Sequence, residues 1–245
     1  MTSMTCVPLV LAFACALHAP LAAEEAAKPS PTTTPPPAAI ATAASVLAPQ
    51  IAAAAGADAW SKMSRLRFSW RHLPSDTART YDWRMRSGVD GGEVTITMPG
   101  SPDVTLPAKW QAPATGADPA QVKAHQGFIN DSYWLLFSLH VGWDQPTCSD
   151  LGEVDVPQLP DLGKRPAVSV TYPNAGGYTP GDSYVLYLGT DHLPVAWAFH
   201  KGGAKEPTLV TTWLDYQTVA GVRVPTRFTT PDGKDFIRIV NLSAE

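Results

Sequence analysis

The side chains best suited to acid–base, metal or thiol chemistry in this chain are its six histidines and three cysteines. No two histidines stand four residues apart around a glutamate, a spacing typical of metal-dependent hydrolases. The chain has no glycine-rich phosphate loop, and the adjacent Asp191 and His192 are typical of a turn. We therefore expect neither a metal nor another cofactor. The histidines are His18, His72, His125, His140, His192 and His200.

One set of reactive residues has a regular spacing. His140, Asp144 and Cys148 follow one another at intervals of four, and on an unbroken helix they would share a face. Pro146 would break that helix, and the sequence offers no identifiable partner that would activate Cys148 as a nucleophile. We therefore expect a protein that is not an enzyme, and a hydrolase using His140 and Cys148 is the weakest of three hypotheses.

Aromatic residues are the second group with a potential function, which would be binding. Apolar and polar residues alternate through residues 65–71, 79–86 and 93–98, as in strands with one dry face. Short connections between them predict an antiparallel meander, and its dry face has to be covered by another element.

The covering element is predicted from residues 128–143. Asn130 or Asp131 can cap a helix that runs from Ser132 to about His140. Almost every side of that helix is apolar or aromatic, which indicates a buried position and the role of a lid over the sheet. Residues 119–125 are expected to add one or two separate helical turns.

Sheet and lid together define a candidate cleft for an apolar ligand. Burying an acyl chain there would contribute about 0.8 kcal/mol per methylene group. The same residues are also consistent with an ordinary filled core. The predicted lining is Leu66, Phe68, Trp70, Tyr81, Trp83, Met85, Trp134 and Phe137.

The rest of the chain completes the predicted fold class. Residues 38–55 are rich in alanine and predict a helix that ends at Gly56, with a kink at Pro49. Residues 145–165 are typical of a long loop with at most an edge strand. From residue 166 onward the strands resume in hairpin order, giving roughly nine strands in all. We predict an α+β fold, a large curved antiparallel sheet forming an unclosed half-barrel whose concave face is covered by a few helices.

The first part of the chain predicts export. Residues 1–23 combine an apolar run with a small-residue end, as in a secretory signal peptide, and we expect a periplasmic location. Residues 24–37 form a Pro/Thr-rich linker, and residues 38–245 form a single domain. Once the leader is removed, Cys148 is the only cysteine left, so an intrachain disulfide is impossible.

Charge narrows the choice of partners. The formal net charge of -4 argues against a nucleic-acid binder. Basic residues nevertheless outnumber acids between Lys62 and Arg86, where arginines stand on the polar side of the first strands. They form either the solvated outside of the sheet or a cationic surface that contacts anionic membrane.

Several stretches carry a family resemblance, namely residues 56–60, 128–136, 184–188, 193–195 and 215–225. Over residues 40–242 the chain resembles the bacterial outer-membrane lipoprotein-sorting, or lipoprotein-carrier-like, superfamily. The resemblance implies an unclosed half-barrel with a helical lid, and it implies a lipid or a lipoprotein acyl chain as ligand. Its motifs mark turns and strands, so they indicate the fold more directly than the activity.

Two hypotheses therefore stand ahead of the hydrolase. The leading one is an exported, non-enzymatic protein that binds an apolar or amphiphilic ligand between sheet and lid. The alternative is a structural or interaction module whose core is completely packed. The volume left between lid and sheet distinguishes them.

Overall fold

Alternating apolar and polar residues build the strands of one large antiparallel sheet. The structure is a computed structural model that describes residues 45–85, 92–109, 116–174 and 180–245. The predicted signal peptide, the linker and residues 38–44 lie outside the described residues. The strands are β1 Arg65–His72, β2 Thr77–Arg84, β3 Glu93–Thr97, β4 Val104–Pro107, β5 Thr147–Asp155, β6 Lys164–Thr171, β7 Ser183–Leu188, β8 Pro194–His200, β9 Leu209–Leu214, β10 Gln217–Val219, β11 Val222–Val224, β12 Arg227–Thr229 and β13 Asp235–Ala244.

Eleven of the strands in the described residues form a single sheet in the order β4-β3-β2-β1-β13-β12-β9-β8-β7-β6-β5. Every neighbouring pair is antiparallel, and β10 and β11 form a separate two-stranded ribbon. The two edge strands, β4 and β5, stand at opposite ends of this order, so the sheet does not close on itself. The predicted α+β half-barrel is confirmed.

The register of β1 and β2 confirms the predicted dry face. Leu66 stands opposite Trp83, and Phe68 stands opposite Tyr81. All four of these side chains are completely or almost completely buried. The next cross-strand pair on the same face is Trp70 and Arg79, so an arginine lies on the apolar face.

The helices are α1 Leu47–Ala54, α2 Ala57–Trp60 and α3 Pro119–Trp143. Short 3-10 turns occupy Leu73–Ser75, Pro160–Leu162 and Lys201–Gly203. The large core contains the buried residues of α3 together with the dry face of the sheet. A second, smaller core contains Val156, Ala196 and Ala198, and in β8 the two alanines alternate with Trp197 of the large core.

The predicted cap at Asn130 or Asp131 is wrong. α3 is one helix of 25 residues, interrupted in its backbone angles only at Leu136. Its N-cap is Asp118, whose side chain accepts a hydrogen bond from the backbone N–H of Ala120 at 2.7 Å. Pro119 occupies the first helical position, where a backbone N–H would have no acceptor within the helix, so proline loses no hydrogen bond there. The stronger start signal lies twelve or thirteen residues before the predicted one, so the expected separate helical turns are part of α3.

Residues 145–165 are predicted as a long loop with at most an edge strand, and the edge strand is present. Residues 147–155 form β5, a nine-residue edge strand paired with β6. The pairing contains a bulge between Asp150 and Gly152. An edge strand has a neighbour on one side only, so exposed residues such as Asp150, Glu153 and Asp155 are tolerated there. Their polarity is the reason that the sequence pattern favours a loop with an edge strand at most.

Gly56 ends the α1 region as predicted. Its φ of 89° lies in the left-handed region, and a Cβ atom there would stand 2.4 Å from the carbonyl oxygen of Gly221. Pro49 causes no kink, because it lies in the first turn of α1, where proline is tolerated.

Candidate functional site

The eight predicted cleft residues lie in one apolar core, but in two separate parts of it. Phe128 of α3, rather than Trp134 or Phe137, packs against Tyr81 and Trp83, with ring centroids 5.8 and 5.2 Å apart. Trp134 and Phe137 pack farther along the sheet. Their ring partners on the sheet are Tyr184, Trp197, Trp213, Phe228 and Phe236.

These side chains are closed off from solvent in this conformation. Seven of the eight are between 0% and 7% exposed, and Met85 is partly buried. A void wide enough for water would leave part of its lining accessible, yet Phe68, Tyr81, Trp83 and Phe137 are 0% exposed. An apolar ligand could therefore reach these four side chains only if α3 or a neighbouring segment moved.

A buried ion pair joins α3 to the sheet. Arg79 donates hydrogen bonds from Nε and Nη2 to the two carboxylate oxygens of Asp131, both at 2.7 Å. The hydroxyl of Tyr81 donates to Asp131 at 2.6 Å, and Asn130 donates to it at 2.9 Å. The Asp131 side chain is 0% exposed and that of Arg79 is 20% exposed. We call Arg79, Tyr81 and Asp131 the latch.

Neighbouring residues shape the site of the latch. The guanidinium carbon of Arg79 lies 4.3 Å from the ring centroid of Trp70, in cation–π geometry. Gly127 lies one helical turn before Asp131, on the same side of α3. A Cβ atom on Gly127 would come within 3.2 Å of Cδ of Arg79, so glycine leaves the space that the arginine occupies.

Burial and ion pairing act in opposite directions on the pKa values of the two charged residues of the latch. Burial raises the pKa of Asp131 even though its hydrogen bonds and the charge of Arg79 act in the opposite direction. Burial also acts to lower the pKa of Arg79, but hydrogen bonding and the charge of Asp131 outweigh it and raise that pKa. Each charge is thus tolerated because the other is present.

A second polar cluster lies at the C-terminal end of α3. Oδ2 of Asp144 accepts hydrogen bonds from the hydroxyls of Tyr133 at 2.5 Å and Tyr172 at 3.1 Å. Nδ1 of His140 lies 3.0 Å from the same oxygen. These hydrogen bonds and the charge of His140 lower the pKa of Asp144 against the opposing effect of burial.

This second cluster is poorly placed for catalysis. The His140 side chain is 0% exposed, so it has no surface with which to contact a substrate in this conformation. Cys148 lies on β5, beyond the end of α3, and burial raises the pKa of its thiol. Within the described ranges, no group of three or more His, Cys, Asp or Glu side chains could hold a metal ion.

The pair Asp191 and His192 is confirmed as a turn. Asp191 accepts a hydrogen bond from the backbone N–H of Leu193, and His192 has a φ of 62°. Arg223 also donates to Asp191, at 2.7 Å.

The arginines of the first strands are divided between the two faces of the sheet. On the outer face Asp82 accepts two hydrogen bonds from Arg65 and one from Arg67. Arg71 pairs with Asp76 at 3.1 Å. Arg79 lies on the inner face, where it forms the latch. Carboxylates thus offset much of the predicted cationic surface, and membrane contact stays a prediction.

Comparison with known proteins adds little to this description. No protein-family model matches the chain, and no curated protein matches it. The solved structure of a DUF1329 family protein from Desulfovibrio piger is similar at a TM-score of 0.39 and 11% identity. The similarity covers 81% of this chain and 90% of that one, and at this TM-score it carries no argument. None of the described helices has the length and apolar character needed to span a bilayer.

The residues that sequence reasoning missed are Arg79, Gly127 and Asp131 as parts of one site. A signal for them exists in the sequence. Arg79 is in phase with Tyr81 and Trp83 on the dry side of β2, and Asp131 interrupts a nearly apolar helix. A charge of each sign on two surfaces that are expected to face each other indicates a buried ion pair.

Proposed function

We propose that this protein is a non-enzymatic carrier of an apolar chain, with α3 as a movable lid that the latch holds on the sheet. The supporting observation is the bidentate ion pair between Arg79 and Asp131 inside an otherwise aromatic interior. A core that only has to be stable does not need such a pair, because apolar residues of similar volume often serve as well or better. An ion pair does offer a directional contact that fixes one position of the lid.

The energy of opening favours a chain-like ligand. Uncovering Phe128, Trp134 and Phe137 costs about 1.5–3 kcal/mol each, or about 5–9 kcal/mol together. Burying an acyl chain of about 14 methylene groups returns about 11 kcal/mol. Breaking the latch adds about 3–5 kcal/mol to this cost. The lid therefore stays closed without ligand, and an acyl chain of this length returns a free energy comparable to the whole cost of opening.

Two features of the sequence support the same proposal. The strand and turn motifs resemble those of lipoprotein carriers, which implies an acyl chain as ligand. The leader-like residues 1–23 support export, with a periplasmic location in which a lipid or a lipoprotein would be met.

Native mass spectrometry tests the proposal directly. The protein is incubated with palmitate or a synthetic triacylated lipopeptide, and the bound fraction is measured for the wild type and for Asp131→Asn. We expect the variant to bind more ligand, because weakening the closed state raises the population that is competent to bind. Asp82→Asn is the matched control, since Asp82 also takes two hydrogen bonds from an arginine but lies on the outer face.

The outcomes separate the two leading hypotheses. No ligand on either the wild type or Asp131→Asn would contradict the carrier proposal. Equal gains in Asp131→Asn and Asp82→Asn would show that general destabilisation, rather than the latch, controls binding.

The alternative is a structural or interaction module with a permanently packed core. The complete burial of Phe68, Tyr81, Trp83 and Phe137 favours it. Under this alternative α3 never leaves the sheet, so hydrogen exchange of the α3 amides would proceed only through global unfolding. A carrier would instead show exchange of α3 at a lower free energy than that of the central strands.

A further inference from the structure

An open groove of about 510 Å³ lies beside the junction of β1 and β13. One wall is the 3-10 turn that follows β1, with Leu73 and Pro74. The opposite wall is the hairpin between β12 and β13, from Thr230 to Phe236. Its volume lies within the range of about 300–1,000 Å³ that is typical of small-molecule sites.

Phe236 connects this groove with the core. The register between β12 and β13 pairs Thr229 with Asp235 and Phe228 with Ile237, so Phe236 is the extra residue of a bulge. Bulges redirect a side chain from its regular alternation. The Phe236 ring lines the groove and also lies 5.9 Å from the ring of Trp134 on α3.

From Trp134 a series of rings continues into the interior. Its ring centroid lies 4.8 Å from that of Trp197 and 5.1 Å from that of Phe228. On its other side Phe236 meets His72 edge-on at 4.9 Å. A continuous series of ring contacts thus links the groove to the surface that α3 covers, and Phe236 stands at its outer end.

The charges in the groove are matched within the protein. Lys234 pairs with Asp232 at 2.7 Å, and Asp235 takes contacts from Arg227 at 2.7 Å and Arg238 at 2.8 Å. Paired charges do not demand a charged ligand. The groove suits an uncharged hydrocarbon segment lying against Leu73, Pro74 and Phe236.

We infer that this groove is where the acyl chain enters, and that Phe236 is the gate between the groove and the ring-lined interior. The inference rests on the carrier function proposed above and adds the route to it. The end of the chain first lies against Leu73 and Pro74, then displaces the Phe236 ring from Trp134. Further movement along the rings lifts α3.

Stopped-flow uptake of the fluorescent fatty acid cis-parinaric acid tests this route. In Phe236→Ala the gate is missing, and the association rate should rise about tenfold because two ring contacts no longer have to be broken. In a Cys148→Ser background, Phe236→Cys labelled with a bulky maleimide should slow uptake about tenfold or more by closing the groove. Leu151→Cys, labelled identically on exposed β5, is the control and should leave the rate unchanged.

The outcomes distinguish the route from the function. If labelled Phe236→Cys takes up the probe as fast as labelled Leu151→Cys, the groove is not the entry, while the carrier function stands. If the wild type takes up no cis-parinaric acid at all, the carrier function fails and the route with it. Circular dichroism confirms folding, and the labelled cysteine variant keeps the test decisive if Phe236→Ala does not fold.

Discussion

Removing one partner of the latch should destabilise the protein far more than removing both. In Asp131→Leu the guanidinium of Arg79 stays largely buried, with 20% of its side chain exposed and with Trp70 as its remaining electrostatic partner. Breaking a buried ion pair from one side costs about 3–5 kcal/mol. Partial hydration of Arg79 and its cation–π contact recover about 1 kcal/mol of this. We therefore expect a loss of about 2–4 kcal/mol in the free energy of unfolding.

The double variant Arg79→Leu/Asp131→Leu should behave differently. It leaves no unpaired charge, and apolar replacement of a buried ion pair is often neutral or stabilising. The hydroxyl of Tyr81 loses its acceptor in this variant, which costs about 1–3 kcal/mol. Adding Tyr81→Phe removes that cost, so the triple variant should lie within about 1 kcal/mol of the wild type.

Urea denaturation followed by tryptophan fluorescence and circular dichroism measures these free energies. For a domain of this size, a loss of about 3 kcal/mol corresponds to a fall of about 6–12 °C in Tm. A double-mutant cycle on Arg79 and Asp131 then isolates their coupling. The reasoning is refuted if Asp131→Leu costs less than about 1 kcal/mol, or if the two single losses simply add in the double variant.

Three further predictions concern the rest of the domain. Gly56→Ala should lower the free energy of unfolding by more than the roughly 1–3 kcal/mol of left-handed strain, because its Cβ also meets Gly221. Gly233 has a φ of 79° and open space around it, so Gly233→Ala should lose only the strain energy in the same urea melts. Phe137→Ala should lower the free energy of unfolding by about 3–5 kcal/mol in the same assay, and a loss below about 1 kcal/mol would contradict its burial. Hydrogen bonding from Arg65 lowers the pKa of Asp82 from 3.8 to about 2, so its stabilisation is present above pH 3.8 and is lost as pH falls to about 2. Asp82→Asn should flatten the measured stability over that interval, by on the order of 1 kcal/mol for a partly exposed pair.

Local polarity is weak evidence against regular structure, as β5 and α3 show. β5 has exposed carboxylates because it is an edge strand, and its edge position depends on a pairing with β6 rather than on its own residues. α3 contains Asp131, which is typical of a helix cap by local rules. In the folded protein that carboxylate has Arg79 as its partner, so the helix continues through it.

The sequence predicts the helix that covers the sheet, but it does not predict which rings that helix contacts. Phe128, rather than Trp134, covers Tyr81. The direction in which a helix crosses a sheet depends on packing against several strands at once. No window of neighbouring residues contains that information.

The amino-acid sequence alone determined the strands of the first meander, the side of each strand that is buried, the apolar helix and the glycine at the end of α1. These features follow from side-chain periodicity and backbone freedom, which act over a few residues. Tertiary structure decided that β13 lies beside β1, that the interior is closed, and that Arg79 meets Asp131 across 52 positions of chain. Such contacts form only when the fold brings distant segments together, because a charge is buried favourably only where its partner is also present.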